Sequence, residues 1–265
     1  MTLEQLVVVT VLLTGLAVGS FLNIVADRVP RGQSLLSPRS HCDACGRQLA
    51  ALELVPLLSY LWLRGRCRTC GAAIGRRTVV MELAGAAIAV GAWQIFGLTL
   101  PGLLAALYGW LFLILSVIDI EHQRVPRAMV YGGLILALVA SPWWPLAGLV
   151  GAIAGGLVAW LPYALLYVIV GRIYGPGKGM GRADVNVAAL MGLVAGFPGA
   201  IIALYAAILA GAVIAIALVL TGRRKRRDPV PTIPVFAIGA LISLLWSMGY
   251  IDRLLQLAGL VHRTS

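Results

Sequence analysis

Eight apolar runs, each long enough to cross or nearly cross a lipid bilayer, dominate the 265-residue chain. They cover residues 6–26, 79–98, 100–118, 128–140, 146–170, 185–196, 199–220 and 233–250. A helix needs roughly 20 apolar residues to cross a bilayer core, so the runs at 128–140 and 185–196 are short for a simple span. With 60% hydrophobic and 12% charged residues, the chain lacks the polar surface of a water-soluble globule. The sequence predicts an all-α polytopic membrane protein with about eight transmembrane helices.

Basic residues cluster in alternate connections between these runs. If residues 27–78 are cytoplasmic, alternation places 19 of the 21 lysines and arginines on that side, whereas the connections at 99–101, 141–145 and 197–198 carry no charge. Cytoplasmic loops of membrane proteins are enriched in Lys and Arg. The pattern therefore predicts that both termini lie outside the cytoplasm. It explains the net charge of +11 without a nucleic-acid partner, and the basic segment 223–227 suits contact with anionic membrane lipid.

All four cysteines lie in the one large polar segment, residues 27–78. Cys42 and Cys45 form one C-x-x-C pair, Cys67 and Cys70 form another, and 21 residues separate the pairs. Two such pairs can close a tetrahedral thiolate site, and a loop of this size has too small a core to be well ordered without one. Disulfide bonds are the alternative, but they fit poorly in the reducing cytoplasm. The sequence predicts a structural zinc ion bound by the four cysteines.

Three polar side chains lie next to the cysteines in the sequence. Arg66 and Arg68 flank the second pair, where their charge can balance the thiolates. His41 precedes Cys42, and we expect it to be a bystander because four cysteines already complete the zinc shell.

Two carboxylates end apolar runs on the predicted cytoplasmic side. Asp119 follows the run at 100–118, and Asp184 precedes the run at 185–196 after a glycine-rich segment at 175–184. Two acids on different helices can share one site in which one is ionised and the other protonated, because two negative charges are unfavourable in a poorly solvated space. Such a pair can activate a water molecule by taking its proton. The simpler interpretation of Asp184 is an N-cap of the next helix.

Glu121, two residues after Asp119, is the nearest competing acid. Because a helix turns by about 200° over two residues, the two side chains should face different ways.

Acids within membranes also mark ion paths, so an ion-coupled transporter is a rival hypothesis. Acids at span ends rather than at mid-span disfavour it.

Several stretches of the chain, in order, resemble the type IV prepilin peptidases, membrane aspartic enzymes of pilus, type II secretion and competence systems. They are residues 19–30 (GSFLNIVADRVP), both cysteine pairs, residues 54–61 (LVPLLSYL), Glu82, residues 118–126 (IDIEHQRVP) and residues 179–184 (GMGRAD). The likeness covers most of the chain.

This resemblance implies that Asp119 and Asp184 are the catalytic pair of an aspartic endopeptidase. The implied substrates are prepilin or pseudopilin precursors, cut after a short basic leader at the cytoplasmic face of the bacterial inner membrane. The implied domains are a first transmembrane helix (1–26), a cytoplasmic zinc-binding loop (27–78) and a transmembrane aspartic peptidase domain (79–265).

The resemblance also implies N-methylation of the new N-terminus with S-adenosylmethionine. The sequence itself contains no glycine-rich nucleotide fingerprint for that cofactor, so the residues that bind it are unknown and methylation rests on the resemblance alone.

Three residues depart from the family pattern. Ala183 stands where the family has glycine before the second acid, Asn186 where a lysine is usual, and Arg127 where an aspartate is common. If residue 183 needed a positive φ, its methyl group would cost about 1 kcal/mol or more. These departures motivate an alternative function, a catalytically weakened homologue that serves as an assembly factor for a pilus or secretion system.

Overall fold

The computed structural model describes residues 2–175, 180–222 and 231–249. These residues form nine α-helices and two short 3₁₀ helices, and they contain no β-strand. The α-helices are α1 (Leu3–Arg28), α2 (Leu58–Trp62), α3 (Arg76–Phe96), α4 (Leu100–His122), α5 (Arg127–Ala140), α6 (Gly148–Tyr174), α7 (Arg182–Ala195), α8 (Gly199–Leu220) and α9 (Ile233–Ser247). Lys178, the basic segment 223–227 and the C-terminal tail, all used in the topology prediction, lie outside the described residues.

Each of the eight apolar runs forms one helix, and the remaining helix, α2, lies within the large polar segment. By length and composition, five of the described helices can cross a membrane: α1, α3, α4, α6 and α8. The shorter helices α5, α7 and α9 contain 14, 14 and 15 residues. The predicted all-α polytopic membrane fold is confirmed.

The chain forms two compact units, Met1–Ile118 and Asp119–Ser265. In the first unit, α1 packs against α3 along a face of glycines formed by Gly15, Gly19 and Gly85. A Cβ atom on Gly19 would lie 2.7 Å from the Cα atom of Glu82, so no larger residue fits there without moving a helix. Small residues allow helix backbones to approach closely and gain van der Waals contact.

Polar side chains reinforce the contact of α1 with α3. Nε of Arg77 donates a hydrogen bond to Oδ1 of Asn23 at 2.8 Å, and Nη2 of Arg77 forms a 2.7 Å ion pair with Asp27. Asn23 in turn donates to Oγ1 of Thr78 at 3.3 Å. The polar residues at the end of α1 therefore hold two helices together.

In the second unit, α7 is the central helix and packs against α5, α6, α8 and α9. Glycines face each other where α6 crosses α7. A Cβ atom on Gly155 would lie 2.7 Å from the carbonyl carbon of Gly196, and one on Gly192 would lie 2.7 Å from Cβ of Ala159. This close packing fixes the position of α7, whose first turn carries Asp184.

Candidate active site and cysteine cluster

Asp184 is the third residue of α7, and Gly181 is the N-cap of that helix. The interpretation of Asp184 as the N-cap is therefore wrong by three positions. Its Oδ2 accepts a hydrogen bond from the N–H of Gly181 at 2.9 Å. This bond satisfies a backbone donor at the helix start, as the acid of a capping box does.

Asp119 lies in the last turn of α4 and is only 8% exposed. Its Oδ2 accepts a hydrogen bond from the backbone N–H of Ile233 at 3.0 Å. Ile233 is the first residue of α9, where backbone N–H groups have no acceptor within their own helix. The carboxylate of Asp119 is therefore bound by the start of a helix that lies 114 residues further along the chain.

Thr232, the residue before α9, links the two acids. Its Oγ1 donates a hydrogen bond to Oδ1 of Asp184 at 2.6 Å, and the next N–H along the chain binds Asp119. The two carboxylates also interact electrostatically. The structure thus brings Asp119 and Asp184 together at one helix start, within the second unit.

Glu121 occupies a different environment. It is exposed, whereas Asp119 is buried, although two residues separate them on α4. This difference agrees with the opposite directions expected for side chains two residues apart on a helix.

A cavity of about 260 Å³ lies beside Thr232. Its lining residues come mainly from α6, α8 and α9: Tyr163, Ala207, Ile208, Gly211, Ala215, Pro231, Thr232, Val235 and Phe236. The ring of Tyr163 packs edge-to-face on Phe236 with the ring centroids 5.0 Å apart. Because this lining is mostly apolar, the cavity suits an apolar group better than a charged one.

The four cysteines form one cluster in the first unit. Their Sγ atoms all lie within 4.8 Å of one another, and those of Cys42 and Cys70 are 3.8 Å apart. Four thiolates at about 2.3 Å from a tetrahedral zinc ion lie about 3.8 Å apart, whereas a disulfide requires about 2.0 Å. All four are free thiols in the structure. The donor set and spacing fit zinc and disfavour the disulfide alternative.

The two C-x-x-C segments fold in the same way. In each, the N–H of the first cysteine donates to the carbonyl five residues further on. These bonds join Cys42 to Arg47 at 2.9 Å and Cys67 to Ala72 at 2.8 Å. The glycine after each second cysteine, Gly46 or Gly71, has a φ of +69° or +70°, a conformation that other residues rarely adopt. Each loop thus turns its two thiols to the same side.

The sequence indicated Arg66 and Arg68 as the cations near the thiolates, but the structure places Arg47 against Cys67. Nη2 of Arg47 also forms a 2.7 Å ion pair with the buried Glu53. This ion pair holds the pKa of Glu53 below its usual value. The ion pair with Glu53 therefore holds the Arg47 guanidinium beside the cysteine cluster, and the sequence alone did not predict this pair.

Cys67 is the most buried of the four cysteines, at 8% exposure. Hydrogen bonds from the backbone N–H groups of Cys70 and Thr69 lower the pKa of its thiol to about 6. The thiolate is the form that binds metal ions. His41 is not part of the cluster, and its Nδ1 lies 3.0 Å from the carbonyl oxygen of Arg39.

Glu82 connects the large polar segment to α3. It is 4% exposed, and its Oε2 accepts a hydrogen bond from the N–H of Leu57 at 2.7 Å. Leu57 has a φ of +61°, which costs free energy for a residue with a side chain. The stretch 54–61 and Glu82, which both carry the resemblance, therefore meet in the structure.

Two family models match the chain. The bacterial peptidase A24 N-terminal domain matches residues 13–96, and the type IV leader peptidase family matches residues 105–216. The chain belongs to the type IV leader peptidase family. This membership and the apolar helices identify it as an enzyme and a multi-pass protein of the bacterial inner membrane.

Curated relatives extend this likeness over nearly the whole chain. A prepilin leader peptidase/N-methyltransferase of Aeromonas salmonicida strain A449 is 34% identical over 270 residues, covering 89% of each chain. A protein of the same name from Pseudomonas aeruginosa is 32% identical over 280 residues, covering 95% of this chain and 94% of the relative. One from Bacillus subtilis strain 168 is 33% identical over 250 residues, covering 92% and 96%. No solved structure matches the chain.

Two residues of these sites were missed by the sequence interpretation. Thr232 precedes an Ile-Pro pair and an apolar run, a pattern typical of a helix start, but nothing local connects it to Asp184. Arg47 is one of many loop arginines, and only the fold places it on Cys67.

Proposed function

We propose that this protein removes the leader from prepilin or pseudopilin precursors, with Asp119 and Asp184 as its catalytic residues. The observation that carries the proposal is the meeting of the two carboxylates at the start of α9. The membership in the type IV leader peptidase family and the names of the relatives support the reaction and the substrate class.

The reaction requires one ionised and one protonated carboxyl group. The ionised carboxylate takes a proton from a water molecule, whose oxygen attacks the carbonyl carbon of the scissile peptide bond. The protonated carboxyl group gives its proton to the carbonyl oxygen, which yields a neutral tetrahedral intermediate. As that intermediate collapses, its C–N bond breaks, the carboxyl group that now carries a proton gives it to the leaving nitrogen, and the other carboxylate takes a proton from a hydroxyl of the intermediate. This yields a carboxylic acid and an amine and restores the pair to one ionised and one protonated member. The pair works as one unit, so neither aspartate is assigned a single role.

The proposed site faces the cytoplasm. With residues 27–78 cytoplasmic and both termini outside, the ends of the runs that carry Asp119 and Asp184 lie on the cytoplasmic side. The one-sided distribution of lysine and arginine supports this orientation. A short basic leader would remain on the same side of the membrane.

We also propose that the four-cysteine cluster binds one structural zinc ion. Cys42, Cys45, Cys67 and Cys70 would be its ligands, with Arg47 close to the Cys67 thiolate. A bound zinc would cross-link the two C-x-x-C loops and stabilise the polar segment, as closed four-thiolate sites do. It would take no part in peptide hydrolysis.

N-methylation of the newly exposed N-terminus is the second proposed activity, and the names of the relatives support it. Two cavities among the described residues do not suit S-adenosylmethionine. The cavities at α6–α8–α9 and at α5–α6–α7 are apolar and lined by no acidic side chain that could bind ribose hydroxyls. No residue of this chain is therefore assigned to the cofactor.

Ala183 does not support the alternative of a weakened homologue. It is the second residue of α7, and the described residues other than glycine that have a positive φ are Leu57, Arg64 and Gln123. The suggestion that residue 183 needs a positive φ is therefore wrong. Its methyl group carries no such backbone cost.

Ala183→Gly should consequently not raise the rate of cleavage. Glycine inside a helix costs about 0.5–1 kcal/mol relative to alanine, so the variant should be slightly less stable. Initial cleavage rates and melting temperatures of the two purified proteins test this. A variant several times faster than the wild type would show that the alanine restrains the site.

Membrane vesicles test the peptidase proposal and its orientation together. A synthetic peptide that spans a basic leader and the start of the mature precursor should be cleaved by inverted vesicles but not by right-side-out vesicles. After solubilisation in detergent, both preparations should cleave it equally. Cleavage by right-side-out vesicles alone would reverse the orientation, and no cleavage in detergent would refute the peptidase proposal.

A further inference from the structure

We propose that Thr232 is a positioning residue, whose hydroxyl holds Asp184 in the orientation that peptide cleavage requires. The proposal rests on the proposed function, because it gives Thr232 a role only if Asp184 is catalytic. Thr232 lies outside both family-model matches, which end at residues 96 and 216.

The hydrogen bonds of Asp184 differ in what they fix. The bond from Gly181 is local, because Gly181 is the N-cap of the same helix and lies three residues away. It orients the carboxylate relative to α7 alone. The 2.6 Å bond from Oγ1 of Thr232 joins residues 48 apart and fixes the other oxygen relative to α9.

The position of α9 also determines the partner of Asp119. The N–H that binds Asp119 belongs to Ile233, the residue directly after Thr232. A threonine at this position therefore fixes the carboxylate of Asp184 relative to that of Asp119, because the two groups that donate to them belong to adjacent residues. The bond from Gly181 cannot do this, because it joins two residues at the start of the same helix, α7.

The hydroxyl of Thr232 does not cap its own helix, although Thr232 is at the N-cap position. Thr232 is the N-cap of α9, and threonine at an N-cap commonly accepts a hydrogen bond from an N–H in its own first turn. No such bond is present, and the hydroxyl donates to Asp184 instead. Pro234, at the second position of α9, has no N–H to donate. The donors at the start of α9, the Thr232 hydroxyl and the Ile233 N–H, thus bind the two acids.

Thr232→Val and Thr232→Ser separate this role from simple packing. Valine keeps the branched shape of threonine and lacks the hydroxyl, whereas serine keeps the hydroxyl and lacks the methyl group. We expect Thr232→Val to lower kcat by about 10- to 100-fold with KM within about twofold of the wild type, because a misplaced catalytic group slows the chemical step. Thr232→Ser should keep kcat within about threefold. The measurement is steady-state cleavage of a prepilin-like peptide by the full-length protein in detergent.

Thr221→Val is the matched control. Oγ1 of Thr221 donates to the carbonyl oxygen of Ala217 at 2.7 Å in the last turn of α8, and it contacts neither acid. The same loss of a hydroxyl there should leave kcat and KM unchanged. If Thr232→Val proves unstable, the pair Thr232→Ala and Thr232→Ser differs by the hydroxyl alone and gives the same comparison.

The outcomes distinguish this proposal from the proposed function. If Thr232→Val is fully active, or Thr232→Ser is as slow as Thr232→Val, the hydroxyl does not position Asp184, and a packing role remains. If Asp184→Asn in the same assay also retains activity, the catalytic pair itself is wrong. An inactive Asp184→Asn beside an active Thr232→Val refutes only the role of Thr232.

Discussion

Asp119→Asn and Asp184→Asn should each lower the rate of leader cleavage by about 10⁴-fold or more. Asparagine is nearly isosteric with aspartate, but it can neither take a proton from water nor donate an acidic proton, and both transfers are lost when the pair is broken. Folding should be little affected, because an amide oxygen can still accept the hydrogen bond from Ile233 or from Gly181. At position 184, the amide nitrogen would then face Thr232, whose hydroxyl can rotate to accept.

The double variant should be no slower than either single variant, because a pair that lacks one member no longer functions. Glu121→Gln is the matched control, since it removes an exposed carboxylate from the same turn of α4 and should retain nearly full activity. Cleavage rates should be compared at equal amounts of protein with equal melting temperatures. Substantial cleavage by Asp184→Asn would refute the assignment.

Purified protein should contain about one zinc ion per chain, and Cys67→Ser should lose it. Serine has no thiolate, and three thiolates cannot close the tetrahedral site. Binding of zinc by small thiolate sites contributes about 10–16 kcal/mol of apparent free energy, so removal of the metal should disorder the loops that carry Cys42, Cys45 and Cys70. Metal analysis gives the zinc content, and alkylation of native protein reports whether the remaining thiols become reactive.

His41→Ala is the control for the zinc prediction. His41 neighbours Cys42 in sequence, but it lies outside the thiol cluster, so this variant should bind as much zinc as the wild type. Wild-type protein that contains no metal and whose four cysteines react freely in the native state would refute the zinc site. Loss of zinc in His41→Ala with retention in Cys67→Ser would mean that the ligand set is wrong.

The helices of this protein were predictable because lipid constrains the sequence so strongly. Every backbone polar group in a bilayer must be paired within the protein. An apolar run such as residues 146–170 therefore forms a helix, which pairs these groups within the segment itself. The cysteine cluster was predictable for a related reason, since C-x-x-C spacing is local and a glycine after each pair permits the turn. Helix ends were harder: Asp184 was considered as an N-cap but is the third residue of α7.

The surroundings of the two acids could not be predicted from local sequence. The predicted topology puts Asp119 and Asp184 on one side of the membrane, but it gives neither their separation nor their hydrogen-bond partners. Apart from the local bond from Gly181 to Asp184, those partners are Thr232 and Ile233, which lie 48 and 114 residues away from the acids they bind. Contacts at such separations depend on how the helices pack. The hydrophobic periodicity of a single segment does not predict that packing.

The hydrogen bonds at the start of α9 have a consequence for recognising complete proteins of this kind in genomes. The family match that contains both aspartates ends at residue 216, before Thr232. A gene truncated after α8 would still encode both acidic motifs and would still match the family, yet its product would lack the donors that bind Asp184 and Asp119 from α9. Under the proposed role of Thr232, the presence of α9 with a hydroxyl residue at its start is an additional criterion to test when such genes are assigned as peptidases.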